Sequence, residues 1–136
     1  MQYVGQELTD QAYPIKSFYD AGGNVVFHTD YPITPMLDAN LSIYTAETRS
    51  HHDERLGGKA SQRNAGEAIT RDQALRALTI NVAKGWRQEH RMGSIEFGKL
   101  ANMAVFDCDF LHDDPEKVAN AKVVATIVDG EEVYKG

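Results

Sequence analysis

The sequence predicts an α/β fold in which helices surround a buried strand, followed by a short antiparallel β region. The apolar run Val25-Val26-Phe27 lies between Gly22-Gly23 and Asp30, a pattern typical of a buried strand that ends at a loop. Residues 70–85 combine a capping-box sequence with helical spacing of apolar side chains. Asp129-Gly130 separates two β-prone runs, which is the strongest short signal for a hairpin.

The N-terminal half is predicted to contain two helices, one strand and a long loop. Residues 1–12 are polar and only weakly periodic, and a helix is expected from Pro14 to Ala21, ended by the glycine pair. The strand covers 24–28, and a second helix covers 37–49 with Asp38 as its N-cap. Residues 50–68 are polar, contain three glycines and lack apolar periodicity, so they predict a mobile loop.

The C-terminal half is predicted to begin with a helix and to continue with three strands. Thr70 and Gln73 form a capping box, the apolar side chains at positions 75, 78 and 82 share one face, and Gly85 ends the helix. Strands are expected at 103–107, 123–128 and 132–134, with a short helix at 113–121 that begins with an acidic cap and a proline.

Composition excludes several function classes. The 136 residues are 42% hydrophobic and 25% charged, as in one globular domain. A net charge of −6 argues against a nucleic-acid partner and against an anionic membrane. The single cysteine, Cys108, cannot form an intramolecular disulfide, which fits a cytoplasmic location. Residues 1–7 do not resemble a signal peptide, and no apolar run reaches the roughly 20 residues of a membrane span.

The predicted strand at 24–28 has no parallel partner elsewhere in the sequence. A strand that is buried on both faces needs neighbours on both edges, because its backbone groups must be hydrogen-bonded. Two explanations are open: another chain supplies the partners, or the natural protein is longer at its N-terminus. A helix separates this strand from the three C-terminal strands, which read as antiparallel, so those strands are not expected to be its partners. Of the two explanations, the second is favoured.

Chemistry-bearing side chains follow this strand directly. His28 and Asp30 lie at its carboxyl end, where active sites assemble in α/β folds. Asp30 could serve as a general base or metal ligand, or it could simply cap the turn before Tyr31-Pro32, and the triplet alone does not decide between these. Residues 51–54 (HHDE) have a metal-binding composition, but a solvated loop is the better interpretation because metal ligands need support.

Three stretches resemble the C-terminal third of the amidohydrolase superfamily, specifically amidohydrolase family 3 (YtcJ-like). The first, at 27–35, is similar to the family segment after the last barrel strand, and the second, at 69–83, is similar to a family helix. The third, Gly93-Ser94-Ile95-Glu96-Phe97-Gly98-Lys99-Leu100-Ala101 and its continuation to Phe106, is the most specific. The hairpin at 123–134 is also similar to the family's usual ending.

The resemblance implies a fragment of a (β/α)8 TIM barrel followed by strands of a small β-sandwich. Residues 1–92 would be the C-terminal part of the barrel, with 24–28 as its eighth strand, and residues 93–136 would belong to the sandwich. The strand partners would then lie in an N-terminal portion of the same protein. The intact enzyme would hydrolyse a non-peptide C–N bond of a small-molecule substrate with a metal-activated water. The alternative is a non-catalytic module that forms a homo-oligomer through edge strands.

The resemblance also implies roles for three residues. Asp30 matches the family's aspartate at the end of strand eight, which is a metal-site residue and the proton shuttle. Arg49 matches a frequent arginine and is expected to contact substrate. His28 is the other substrate-binding candidate, but it departs from the family pattern, in which a small residue is usual, so its part in substrate contact is left open. The cofactor would be a divalent metal, zinc by preference. The family's other metal ligands have no matching positions, so this fragment is expected to be inactive alone and to hold no metal by itself.

Overall fold

The computed structural model describes residues 4–33 and 38–136, which form six α-helices, three short 3-10 helices and one three-stranded sheet. The helices are α1 (Gly5–Asp10), α2 (Ile15–Asp20), α3 (Ala39–Thr48), α4 (Arg71–Leu78), α5 (Ile80–Gly85) and α6 (Pro115–Ala119). The strands are β1 (Met103–Phe106), β2 (Val123–Val128) and β3 (Glu131–Lys135). Helix α1 forms where the sequence showed only weak periodicity. Within the described ranges, no helix is long and apolar enough to cross a bilayer.

The hydrophobic core lies between helices α3, α4 and α6. Its buried members are Ile43, Ala46, Ile69, Ala74 and Val118. Fully burying an isoleucine or valine side chain contributes about 1.5–3 kcal/mol, so these contacts hold the helical layer together. Because Val118 of α6 lies in the same core as α3 and α4, residues on both sides of the predicted boundary at 92/93 pack together, and the two-domain division stays a prediction.

Helix α3 agrees with the predicted second helix over its described part. Leu37, the predicted start, and the last two residues of the 27–35 stretch lie outside the described residues. Asp38 occupies the N-cap position, but its side chain makes no capping hydrogen bond. Arg49 ends the helix in the left-handed region, with φ 58°.

The helix predicted from Thr70 to Gly85 is two helices. The capping box is confirmed: the Gln73 amide donates to Thr70 Oγ1 at 3.3 Å, and the Thr70 amide donates to Gln73 Oε1 at 2.9 Å. Thr79 interrupts the helix with φ −126° and ψ −95°. Its hydroxyl donates to the Leu75 carbonyl at 2.7 Å, a threonine contact that bends helices.

The prediction of a buried strand at 24–28 is wrong for this chain. The Phe27 amide donates to the carbonyl of Ala77 at 3.0 Å, and the side chain of Asn81 donates to the carbonyl of Val25 at 3.0 Å. The segment therefore bonds to α4 and α5, and no strand pairs with it among residues 4–33 and 38–136. Val26 is 44% exposed, so one face is open. The apolar pattern predicts burial on both faces, but the described residues cover only one.

The C-terminal region confirms the predicted antiparallel strands. The sheet order is β1-β2-β3, with Val105 opposite Ala125 and Thr126 opposite Tyr134. Asp129 and Gly130 both have positive φ, 51° and 86°, as a tight hairpin turn requires. Helix α6 starts as predicted, with the Asp114 carboxylate accepting from the Lys117 amide at 2.9 Å.

The predicted loop at 50–68 consists of turns and three 3-10 helices, Glu54–Leu56, Gly58–Ser61 and Ala65–Glu67. It is tied to the end of α3, since the Arg63 amide donates to the carbonyl of Arg49 at 3.0 Å. The Gln62 side chain adds a bond to the carbonyl of Thr48 at 2.8 Å. The predicted mobility of this loop stays a prediction.

Candidate active site

Asp30 lies in a tight turn directly after the 24–28 segment. Its backbone is left-handed, with φ 52°, and its carbonyl accepts from the Ile33 amide at 2.8 Å. Its own amide donates to Nδ1 of His28 at 3.1 Å. The Asp30 side chain is exposed, and none of the described residues donates a hydrogen bond to its carboxylate.

His28 and Asp30 share the open face of the segment. Burial alternates from residue to residue: Val25 and Phe27 are partly buried, whereas Val26, His28 and Asp30 are exposed. Phe27 packs against the hydrophobic core. An alternation with period two is the pattern of a strand that has one covered face. One face of the segment therefore packs on the helices, and the two candidate residues lie on the opposite, open face.

Asn81 anchors the segment and was missed by sequence reasoning. It is 7% exposed, and its side-chain amide donates to the carbonyl of Val25 at 3.0 Å and to the hydroxyl of Tyr19 at 3.1 Å. Its own carbonyl accepts from the side chain of Asn24 at 3.0 Å. Burial raises the pKa of Tyr19, which keeps the phenol neutral. A signal was present in the sequence, since an asparagine follows Leu78 by three positions on an apolar helix face.

Arg49 is occupied by main-chain contacts. Its guanidinium donates to the carbonyl of Ala12 at 3.3 Å and to the carbonyl of Arg63 at 3.4 Å. These bonds connect the end of α3 to the chain before α2 and to the 50–68 loop. The structure brings His28 and Asp30 together, and it places Arg49 in a separate set of contacts, so a substrate-binding role for Arg49 stays a prediction.

The Gly93-to-Lys99 motif closes against helix α5. Gly93 has φ 94°, and a Cβ at this position would lie 2.7 Å from Cβ of Ala83 and 2.9 Å from Cα of Ile80, so only glycine fits. Lys99 is 11% exposed and lies 3.1 Å from the Glu96 carboxylate. The hydroxyl of Ser94, followed by Lys99, lowers the pKa of Glu96. The motif thus fixes α5, which in turn carries Asn81.

The histidines of the 51–54 segment make contacts with the neighbouring helices and loop. The ring of His52 stacks edge-on against Tyr44 with centroids 5.2 Å apart, and its Nε2 lies 3.2 Å from the Glu116 carboxylate. Both histidines line a cavity of about 340 Å³ with Leu41, Thr45, Asp53 and Leu56. His52 therefore has a structural role, connecting the loop to α3 and α6.

Asp30 fits one position of the divalent-metal site that the family resemblance implies. Its exposed carboxylate accepts no hydrogen bond from the described residues, and carboxylate oxygens are ligands for zinc and other divalent ions. A complete site needs at least three protein ligands. The part of the chain that the structure describes holds no group of three histidine, cysteine or acidic side chains that could hold a metal. The described residues therefore fit as a contributor to such a site.

Comparison with known proteins decides the family. The sequence model of the amidohydrolase family matches residues 1–134. This chain belongs to the amidohydrolase family. It is similar to an N-substituted formamide deformylase from Arthrobacter pascens, with 35% identity over 118 residues, which is 87% of this chain and 20% of the relative.

The fold is also similar to part of a solved amidohydrolase. The crystal structure of an amidohydrolase from Thermotoga maritima MSB8 superimposes with a TM-score of 0.66 and 23% identity. The match covers 98% of this amidohydrolase chain and 29% of the solved one. The chain therefore spans about a fifth to a third of the length of these relatives. The predicted family is confirmed, and the mixed helix-and-strand architecture is consistent with part of that fold.

Proposed function

We propose that this chain supplies the proton-transfer carboxylate, Asp30, to a metal-dependent amidohydrolase that cleaves a non-peptide C–N bond. One observation carries the proposal: in a chain of this family, the exposed carboxylate of Asp30 stands at the carboxyl end of an anchored segment. Such segment ends are where α/β enzymes assemble their active sites.

The proposal includes a barrel in which the 24–28 segment is the last strand. Its covered face packs on the helices, as the outer face of a barrel strand does, and its open face carries His28 and Asp30. Other strands would cover the open face and supply the remaining metal ligands. The 20% and 29% coverage of the relatives supports a larger enzyme. In this proposal residues 1–92 lie in its barrel and residues 93–136 in its sandwich. Residues 1–136 alone would then be inactive.

The chemistry assigns one proton path to this chain. A divalent metal, zinc by preference, to whose site Asp30 would contribute, would supply a Lewis acid that lowers the pKa of water toward about 7. An oxygen of the Asp30 carboxylate accepts the proton that the attacking water loses as the C–O bond forms. The same carboxyl group then donates that proton to the leaving nitrogen as the C–N bond breaks. The products are a carboxylic acid and an amine, and Asp30 returns to its ionised state.

The test replaces the carboxylate without changing the backbone. In the complete enzyme, Asp30→Asn should lower kcat by about 10²–10⁴-fold, which is the usual contribution of a general acid–base group. An N-substituted formamide is the first substrate to test, because the Arthrobacter pascens relative is named for that class. Metal content, measured by mass spectrometry, should stay at the wild-type level, because the proposed ligands from the other strands would still bind the ion.

Asp129→Asn is the matched control. Asp129 is also exposed and left-handed, with φ 51° against 52° for Asp30, and asparagine tolerates this conformation. The control therefore makes the same chemical change on the same backbone geometry in the β2–β3 turn, and kcat should not change. Near wild-type kcat in Asp30→Asn, or an equal loss in both variants, would contradict the proposed role.

Self-association is the second candidate, and the exposure of strand β3 favours it. Every residue of β3 is exposed, and it forms one edge of the sheet, so its free backbone groups could pair with a second copy. Mass measurement in solution by light scattering tests self-association. A concentration-dependent dimer that is lost in Val133→Pro would support self-association through β3, and a monomer at all concentrations would exclude it.

A further inference from the structure

We propose that His28 is a positioning residue that orients Asp30 through its Nδ1 atom. The inference rests on the proposed function of Asp30 and adds to it the group that fixes the reactive carboxylate. Nδ1 of His28 accepts the amide proton of Asp30 at 3.1 Å. This hydrogen bond links the two candidate residues of the open face.

The backbone of Asp30 explains why it needs such support. A left-handed conformation, φ 52°, is unfavourable for a residue with a side chain, although aspartate tolerates it better than most. The conformation sets the direction of the Cα–Cβ bond and so the direction of the carboxylate. Two hydrogen bonds hold it: the Asp30 amide to Nδ1 of His28, and the Asp30 carbonyl to the amide of Ile33 at 2.8 Å. Without the hydrogen bond to His28, only the bond between the Asp30 carbonyl and the Ile33 amide holds the turn.

The hydrogen bond also defines the tautomer of the ring. An Nδ1 atom that accepts a proton must be unprotonated, so in the neutral ring Nε2 carries the hydrogen. The two nitrogens of His28 therefore differ in function: Nδ1 accepts from the main chain of Asp30, and Nε2–H is left for other partners, such as a substrate.

Two amide side chains separate these functions. Asparagine places an acceptor close to the position of Nδ1, and asparagine commonly accepts the amide proton two residues further along the chain. Glutamine is one methylene longer and places its amide close to Nε2. Positioning through Nδ1 predicts that His28→Asn keeps the orientation of Asp30 and that His28→Gln does not.

The experiment measures orientation and catalysis separately. In the 136-residue chain, NMR should show an unprotonated Nδ1 in His28, and the Asp30 amide should be protected from hydrogen exchange. His28→Ala and His28→Gln should each accelerate that exchange by about two- to tenfold, the range expected from one neutral hydrogen bond, and His28→Asn should restore protection. His90→Asn, at an exposed histidine after α5, is the matched control and should leave the Asp30 amide unchanged.

In the complete enzyme, kcat should follow the same order. His28→Ala and His28→Gln should lower kcat by about tenfold or more while KM changes less, because a misdirected carboxylate affects the chemical step. His28→Asn should recover most of that loss. Equal exchange rates in all variants, or rescue of kcat by Gln rather than Asn, would overturn the inference. If Asp30 does not transfer the proton, kcat will be unchanged in Asp30→Asn. The hydrogen-exchange measurements would still show whether His28 holds the Asp30 amide.

Discussion

Removal of the Asn81 side chain should loosen the segment that carries Asp30. Asn81→Ala deletes the donor to the carbonyl of Val25 and the donor to the hydroxyl of Tyr19, which lie 3.0 and 3.1 Å away. The site is 7% exposed, so water cannot readily replace the lost amide. The Val25 carbonyl would lose this buried donor, while Tyr19 would keep its bond to the carbonyl of Gln73 at 2.8 Å.

The magnitude follows from these contacts. An unsatisfied buried acceptor costs about 1–3 kcal/mol, and loss of an ordinary hydrogen bond costs about 0.5–1.5 kcal/mol. Because the tyrosine keeps one partner, the sum should be about 2 kcal/mol, with a fall in Tm of roughly 8 °C for a domain of this size. Urea unfolding followed by circular dichroism measures the free energy of unfolding, and a thermal scan gives Tm.

Asn24→Ala is the matched control for this substitution. Asn24 is exposed, and its side chain donates to the carbonyl of Asn81 at 3.0 Å. The same chemical group is removed within the same network, but the Asn24 side chain makes one hydrogen bond there whereas the Asn81 side chain makes two, so the loss should be that of one ordinary hydrogen bond, about 0.5–1.5 kcal/mol. A double-mutant cycle that combines Asn81→Ala with Tyr19→Phe should give a coupling energy of at least about 0.5 kcal/mol. Zero coupling, or an Asn81→Ala variant no less stable than Asn24→Ala, would refute the anchoring role.

Two further predictions concern the helical layer. Arg71 is 10% exposed and binds the Glu47 carboxylate through Nε and Nη2, both at 3.0 Å. Arg71→Lys should lower the free energy of unfolding by about 2–3 kcal/mol, because lysine cannot form the paired contact. The control Arg76→Lys, at a mostly exposed ion pair, should lower it by less than about 1 kcal/mol, and equal losses of the two variants in urea unfolding would contradict this account. Lys59 lowers the pKa of Glu116, so the contribution of this carboxylate to stability is complete above its unfolded pKa of about 4.3 and is lost as pH falls through the lower folded value. Glu116→Gln should therefore reduce the fall in urea midpoint below about pH 4.5, and an unchanged pH profile would contradict the assignment.

The parts of the fold that sequence predicted are those fixed by local chemistry. The capping box of Thr70 and Gln73 and the Asp129-Gly130 turn need only residues a few positions apart, so their patterns specify their structures. The break at Thr79 was not predicted. A threonine can continue a helix or bend it, and the outcome depends on how α4 and α5 pack against the rest of the chain.

The candidate site was predicted in part for a similar reason. Asp30 and His28 follow an apolar run directly, and their position at its end is a local fact. The anchoring by Asn81 joins residues 56 positions apart, which spacing alone does not reveal. The main-chain contacts of Arg49 are also long-range, since its partner carbonyl on Ala12 lies 37 residues away.

The error at residues 24–28 and the exposure of the candidate site have one physical cause. Val25, Val26 and Phe27 form a continuous apolar run, which is the composition of a strand covered on both faces. In this chain Phe27 lies against the helical core, whereas Val26 is 44% exposed. Val26 therefore marks a face that the described residues leave open, and His28 and Asp30 lie on that face. If other strands of a barrel cover Val26, they must also approach His28 and Asp30 from the side on which the remaining metal ligands are proposed to lie.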